Sequence, residues 1–110
     1  MWRVRIIARK TLKTFIEKLQ GSRDQKAVKS ALESWFHEVR HAAWKSPPDV
    51  TRNYGNASIV GKDRVVFNIK GNDYRLVVAV DYQRQTVFIK WLGTHAAYDK
   101  INVATVKYGD

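Results

Sequence analysis

The stretch that decides the fold spans residues 64–99 and reads RVVFNIKGNDYRLVVAVDYQRQTVFIKWLGTHAAYD. Three runs in it, at 64–69, 74–82 and 86–92, are rich in the β-branched and aromatic residues that favour strands. Turn residues separate the runs at 70–73 and 83–85, and the first turn holds a Gly-Asn pair that tolerates positive φ. Strands joined by such short loops must be antiparallel. The stretch therefore predicts a three-stranded meander, which Gly93 is expected to end.

The residues before the meander predict two strands and two helices. Alternation indicates strands at 2–8 and 57–60, with a loop at 49–56. Apolar residues at helical spacing predict helices at 11–20 and 24–44, the second capped by Asp24 and ended before Pro47 and Pro48. Residues 95–101 are expected to add one or two helical turns.

These elements predict a single α+β domain over residues 1–110, in the order β-α-α-β-β-β-β. In this fold a helical hairpin packs on one face of a small antiparallel sheet. Two helices are too few to cover both faces, so part of the other face is expected to stay open. A ligand site is expected on that open face.

Composition excludes several classes of protein. The chain has no cysteine, which removes disulfides and thiolate metal sites. No apolar run approaches the ~20 residues that span a bilayer, and the basic start lacks the apolar core of a signal peptide. We therefore expect a cytoplasmic protein without membrane contacts. The formal net charge of +10 favours nucleic acid as the binding partner. On charge alone, the alternative partners are an acidic protein and a membrane surface.

Period-two alternation gives each strand of the meander a less apolar face that carries its polar side chains, and these faces coincide if the register permits. Arg75 falls on the less apolar face of the middle strand, with Arg64, Asn68 and Lys70 on that of the strand before and Lys90 on that of the strand after. Trp91 is expected on the face opposite to Lys90. Two interpretations remain open: the cations are the solvated side of a half-buried sheet, or they form a phosphate-binding concavity. Arg75 favours the second, because a guanidinium in the middle of a sheet needs an anion or a carboxylate.

The three histidines differ in their surroundings. His37 and His41 lie four residues apart on the second predicted helix, but no third ligand has suitable spacing, so neither a metal nor a cofactor is expected. His95 follows the last strand and is the candidate for proton transfer, since histidine changes charge near neutral pH. The chain also lacks the P-loop, GxGxxG and nucleophile-elbow motifs.

The run from VFNIKGNDYRLVVAV to IKWLGTHAAYDKI resembles the HigB family of bacterial toxins, which are RelE-like messenger-RNA interferases. The matching elements are Phe67-Asn68, the Gly71-Asn72 turn, Tyr74-Arg75, Thr94-His95 and Tyr98-Asp99. The resemblance implies a RelE-like fold and a toxin that cuts messenger RNA in the ribosomal A site. It also implies a HigA-like helix-turn-helix antitoxin, and operator DNA bound only through the toxin–antitoxin complex. RelE-like relatives with a lysine pair before the arginine differ from this chain, which has Val66 and Asn68 there, so the general base is not carried over.

Under this resemblance the catalytic set is Arg75, His95, Tyr98 and Lys90, and the RNA-binding set is Arg64, Asn68, Lys70 and Asn72. Arg75, supported by Lys90 or Lys70, would stabilise the phosphorane formed when a 2′-hydroxyl attacks its phosphate. His95 would transfer protons and Tyr98 would orient a base. Two alternatives stay open: a non-catalytic RNA- or ribosome-binding module, and a basic protein that pairs with an acidic partner.

Overall fold

The computed structural model describes residues 4–7, 9–61 and 63–106. The helices and strands follow one another as β1 (Arg5–Ile7), α1 (Arg9–Lys18), α2 (Gln25–Arg40), α3 (Pro47–Asn53), β2 (Ser58–Val60), β3 (Arg64–Ile69), β4 (Tyr74–Asp81), β5 (Thr86–Thr94) and α4 (His95–Tyr98). The fold is α+β, as predicted. Residues 2, 3 and 8 of the first predicted strand lie outside the described residues. None of the helices in these ranges is long and apolar enough to cross a membrane.

The five strands form one mixed sheet in the order β1-β5-β4-β3-β2. Strands β2 to β5 pair antiparallel, which confirms the predicted meander. Strand β1 pairs parallel with β5, so the prediction of an all-antiparallel sheet is wrong at that edge. The reason is that three helices separate β1 from β2, and no tight turn fixes the direction of β1.

The helices confirm the predicted pair and add a third. Helix α2 ends at Arg40, four residues earlier than predicted, and Trp44 enters the core from the following loop. Helix α3 occupies most of the predicted loop at 49–56. Ser46 is its N-cap residue and proline stands in its first turn, where the missing N–H costs nothing. Its Asp49 carboxylate accepts hydrogen bonds from the Lys45 N–H (2.9 Å) and from Arg52 (3.0 Å).

The helices cover one face of the sheet and bury most of it. The residues of this face belong to the main core and are Val65, Phe67, Ile69, Tyr74, Leu76, Val78, Val80, Val87, Ile89 and Leu92. From α2, Val28, Leu32, Trp35 and Val39 pack against them. Burial of this apolar surface is the main source of stability, at about 25 cal/mol per Å². The alternation predicted for β4 is confirmed on this side.

The opposite face, which we call the Arg75 face, is buried at its centre. Val66, Val77 and Ala79 point to this side and are 2%, 0% and 6% exposed. The chain leaves α4 against β4 and β5 and reaches the first residue of β3, where the Val106 carbonyl accepts a hydrogen bond from Arg64. Residues 101–106 therefore cross this face. The centre of this face is buried, which agrees with the prediction that part of the face stays open rather than all of it.

A β-bulge in β5 changes which side chains face each way. Val77 pairs with Trp91 and Val78 with Ile89, so Lys90 is the extra residue between them. The bulge brings Trp91 onto the Arg75 face, where the sequence alternation had not placed it. Gly93 does not end the strand; it pairs with Arg75, and β5 continues to Thr94.

Candidate active site

Arg75 is the second residue of β4, the central strand of the sheet. Its neighbours are Asn68 of β3 on one side and Gly93 of β5 on the other. Its Nη2 donates to Asn72 Oδ1 at 2.7 Å, and its Nη1 donates to the carbonyl oxygens of Asn72 and Tyr74 at 3.0 and 3.2 Å. All three acceptors are neutral. Across the described part of the chain, no carboxylate forms an ion pair with this guanidinium. The turn thus fixes the position of a positive charge without neutralising it.

Helix α4 brings Tyr98 and His95 to the same end of the sheet. The Thr94 hydroxyl caps the helix by accepting from the Ala97 N–H at 3.1 Å. The backbone N–H of His95 donates to the Asp73 carbonyl at 2.9 Å, which ties the start of α4 to the turn that holds Asn72. The Tyr98 ring centroid is 5.9 Å from Arg75 Cζ. The sequence-predicted Arg75, Asn72, His95 and Tyr98 therefore come together from two separate segments.

The His95 imidazole is exposed to solvent at the start of α4. Its side chain is 49% exposed, and Nε2 lies 3.8 Å from Asp99 Oδ1 one helical turn further on. The ring is therefore free to approach a bound molecule.

Two of the predicted RNA-binding residues, Lys70 and Arg64, are not available beside Arg75. Lys70 adopts a left-handed conformation (φ 53°), which turns its side chain toward the N-terminus of α2. There Nζ lies 2.7 Å from Asp73 Oδ2 and 3.5 Å from Asp24 Oδ1. The hydrogen bond to Asp73 raises the pKa of Lys70, and the same contact lowers the pKa of Asp73. The expectation that Lys70 shares a face with Arg75 is wrong. Strand β3 ends at Ile69, so Lys70 belongs to the turn and the alternation of the strand no longer sets the direction of its side chain.

Arg64 is on the Arg75 face but is covered. It is 8% exposed, its Nη1 donates to the Val106 carbonyl at 2.8 Å, and its Nε is buried without a partner among the described residues. The predicted contact of Arg64 with an RNA backbone is therefore blocked in this conformation. Asn68 is half-buried directly opposite Arg75, as the prediction of a shared face requires.

The Arg75 face also carries the Trp91 ring, which the sequence alternation predicts on the other face. Trp91 and Tyr98 have ring centroids 6.3 Å apart, and Lys90 Nζ lies 5.4 Å from the Phe88 ring centroid. Lys90 thus lies on the predicted face, although its contact is with Phe88. The aromatic residues of β5 were visible in the sequence, but the bulge that brings Trp91 to this side left no recognisable signal there.

The other histidines form no site with these residues. The rings of His37 and His41 are 4.9 Å apart on α2, and His41 Nδ1 hydrogen-bonds the His37 carbonyl. In the ranges that the structure describes, no three histidine or acidic side chains come together as metal ligands.

Comparison with protein-family models identifies the family of the chain. A family model for HigB toxins, the RelE-like toxic component of a toxin–antitoxin system, matches residues 28–101 of the 110. The chain belongs to the HigB toxin family. It is thus a toxin of a toxin–antitoxin system, and its partner is an antitoxin. The match runs from within α2 to just beyond α4 and includes every residue discussed here as part of the site. Among curated proteins, none matches the chain significantly.

Proposed function

We propose that this HigB-family toxin inhibits translation by cutting messenger RNA in the ribosomal A site. The observation that supports this most directly is the Arg75 guanidinium, which neutral acceptors of the Asn72 turn hold in place beside Tyr98. A fixed and uncompensated guanidinium is suited to bind a phosphodiester, since its planar fork matches two phosphate oxygens.

The cleavage proceeds by attack of a 2′-hydroxyl on the adjacent phosphorus and uses side chains rather than a metal ion. The O2′–P bond forms, the P–O5′ bond breaks, and the products are a 2′,3′-cyclic phosphate and a free 5′-hydroxyl. Arg75 stabilises the extra negative charge of the phosphorane. His95 carries a proton to or from the reacting oxygens. Because the site offers a single imidazole, we expect the ribosome to complete it.

The remaining site residues bind the substrate. Tyr98 orients a splayed base beside the scissile phosphate. Asn72 and Asn68 flank Arg75 and position the RNA backbone, and Lys90 adds positive charge on the same face. The proposal does not extend to Lys70, whose charge two carboxylates neutralise, or to Arg64, which the C-terminal segment covers.

Replacing Arg75 tests the proposal. Arg75→Ala should abolish growth arrest and lower messenger-RNA cleavage at least ~100-fold, because the main charge on the phosphorane is lost. The matched control is Arg84→Ala, which removes the same charge from an exposed turn where Arg84 is paired with Asp81; it should keep full toxicity. Circular dichroism checks that both variants fold. Full toxicity of Arg75→Ala at equal protein levels would refute the assignment.

A second candidate is a toxin that binds RNA or the ribosome without cutting. The observation that supports this candidate is the single imidazole of the site, because cleavage needs both a general base and a general acid. Such a protein would arrest translation and leave messenger RNA intact, so the length of messenger RNA after induction separates the two functions.

A further inference from the structure

We propose that Phe88, Trp91 and Tyr98 form a stacking surface for consecutive bases of single-stranded RNA, running along β5 from Arg75. We call these three side chains the aromatic row. The proposal deepens the function above: it rests on RNA being the substrate and names how the RNA beyond the scissile phosphate is held.

The bulge at Lys90 brings the first two members of the row onto the Arg75 face. Trp91 pairs with Val77 and Phe88 pairs with Ala79, two residues further along β4. Two strand residues span about 7 Å, so the two rings are spaced for neighbouring nucleotides of an extended strand rather than for one base. Both rings are half-buried, whereas Val87, Ile89 and Leu92 on the other side of β5 are buried.

Gly93 sets the position of the Trp91 ring. A Cβ atom at Gly93 would lie 2.4 Å from Trp91 Cη2 and 2.6 Å from Trp91 Cζ2, so the six-membered ring of the indole covers this glycine. Gly93 is the cross-strand neighbour of Arg75. The indole therefore extends toward Arg75 and meets Tyr98, with ring centroids 6.3 Å apart.

Cations alternate with the rings of this row. Lys90 Nζ lies 5.4 Å from the Phe88 ring centroid, and Arg75 Cζ lies 5.9 Å from that of Tyr98. Aromatic faces for bases beside cations for phosphates are the arrangement by which proteins bind single strands with little sequence preference.

The aromatic cluster in the core shows what purely structural rings look like here. Trp35 and Trp44 each pack on Phe67, with ring centroids 5.5 and 6.2 Å apart, and all three rings are buried. The aromatic row differs in being only partly buried and in being flanked by cations. Single-stranded RNA matches both features, because its planar bases can stack on the exposed rings and its phosphates can bind the cations.

Binding of short oligonucleotides by the full chain tests the proposal. The probes are 2′-O-methyl RNA, which cannot be cleaved, of one to six nucleotides, and abasic strands with the same phosphates. Fluorescence anisotropy should show affinity rising with length over at least three nucleotides in the unmodified protein. Trp91→Leu should weaken binding of the longer strands roughly tenfold and leave the abasic strands unchanged, because only stacking is lost.

The controls separate stacking from other roles of Trp91. Tyr82→Leu removes a half-buried ring outside the row and should bind all probes normally. Equal binding of the longer strands by Trp91→Leu and the unmodified protein would overturn the proposal. So would an equal loss for intact and abasic strands, which would mean that Trp91 only positions Arg75 and Tyr98.

The outcome is distinguishable from a failure of the proposed function. Length- and base-dependent binding without messenger-RNA cleavage in cells would support the aromatic row and refute the nuclease. Cleavage without base-dependent binding would support the nuclease and refute the row.

Discussion

Gly93 shows how one residue without a side chain positions several others. Its sequence context suggested a strand end, because glycine weakens strands. In the structure it continues β5 beside Arg75, and the missing Cβ leaves room for the Trp91 ring. At this position glycine therefore marks a close approach of a ring to the backbone.

Gly93→Ala is expected to destabilise the protein and displace Trp91. The new Cβ would meet the indole at 2.4 Å, and overpacking of this kind costs about 1–3 kcal/mol. Denaturant unfolding gives the free energy of unfolding. The matched control is Gly55→Ala, since no atom lies within 4 Å of its added Cβ. Equal stability of the two variants would show that the Trp91 ring does not rest on Gly93.

For single residues, the sequence predicted which strand or turn holds each one better than it predicted the face on which the side chain lies. Alternation placed Arg75 and Asn68 on one face correctly, because β3 and β4 pair without irregularity between them at that end. It failed for Lys70, whose positive φ turns the side chain away, and for Trp91, which lies beyond a bulge. Neither a positive φ at a lysine nor an extra residue in a strand has a clear sequence signal.

At the scale of elements, strands were predicted more closely than helices and loops. The bounds of β3 are those expected, since a run of β-branched residues lies between two turns. The sequence prediction misses helix α3, because two consecutive prolines also fit the end of α2. The segment Ser46-Pro47-Pro48-Asp49 also fits a helix start, with an N-cap residue, proline and an acidic residue in the first turn.

Helix α3 should make stability depend on pH through Asp49. The hydrogen bond from the Lys45 N–H, followed by contacts with Arg52, lowers the pKa of Asp49 in the folded state. A carboxyl whose pKa is lower in the folded state contributes stability above its unfolded pKa of ~3.9, and this is lost as pH falls through the folded value. Asp49→Asn should therefore be less stable than the unmodified protein near pH 6, and the difference should shrink below about pH 4.

Denaturant unfolding from pH 7 to pH 2.5 measures this difference. The control is Glu33→Gln on α2, an exposed carboxylate with only a 4.0 Å contact to Lys29, which should show little difference at any pH. A deficit of Asp49→Asn that stays constant down to pH 2.5 would contradict the role of the ionised carboxylate.

At the scale of the whole molecule, the two faces of the sheet have different roles. One face holds the core under the helices, and the other carries Arg75, the aromatic row and the crossing C-terminal segment. The charge excess predicted a polyanionic partner but not where it binds. That location depends on register, the bulge and the path of residues 101–106, which arise from contacts between distant parts of the chain.

Mapping messenger-RNA 5′ ends after induction tests the central claim, that this toxin cuts messenger RNA with His95 as a proton-transfer group. Cells expressing the unmodified protein, or the exposed-histidine control His37→Ala, should gain new 5′ ends inside translated reading frames. Cells expressing His95→Ala at the same level should gain none and should keep growing. Growth arrest by the unmodified protein without new 5′ ends, or undiminished new ends with His95→Ala, would contradict the account.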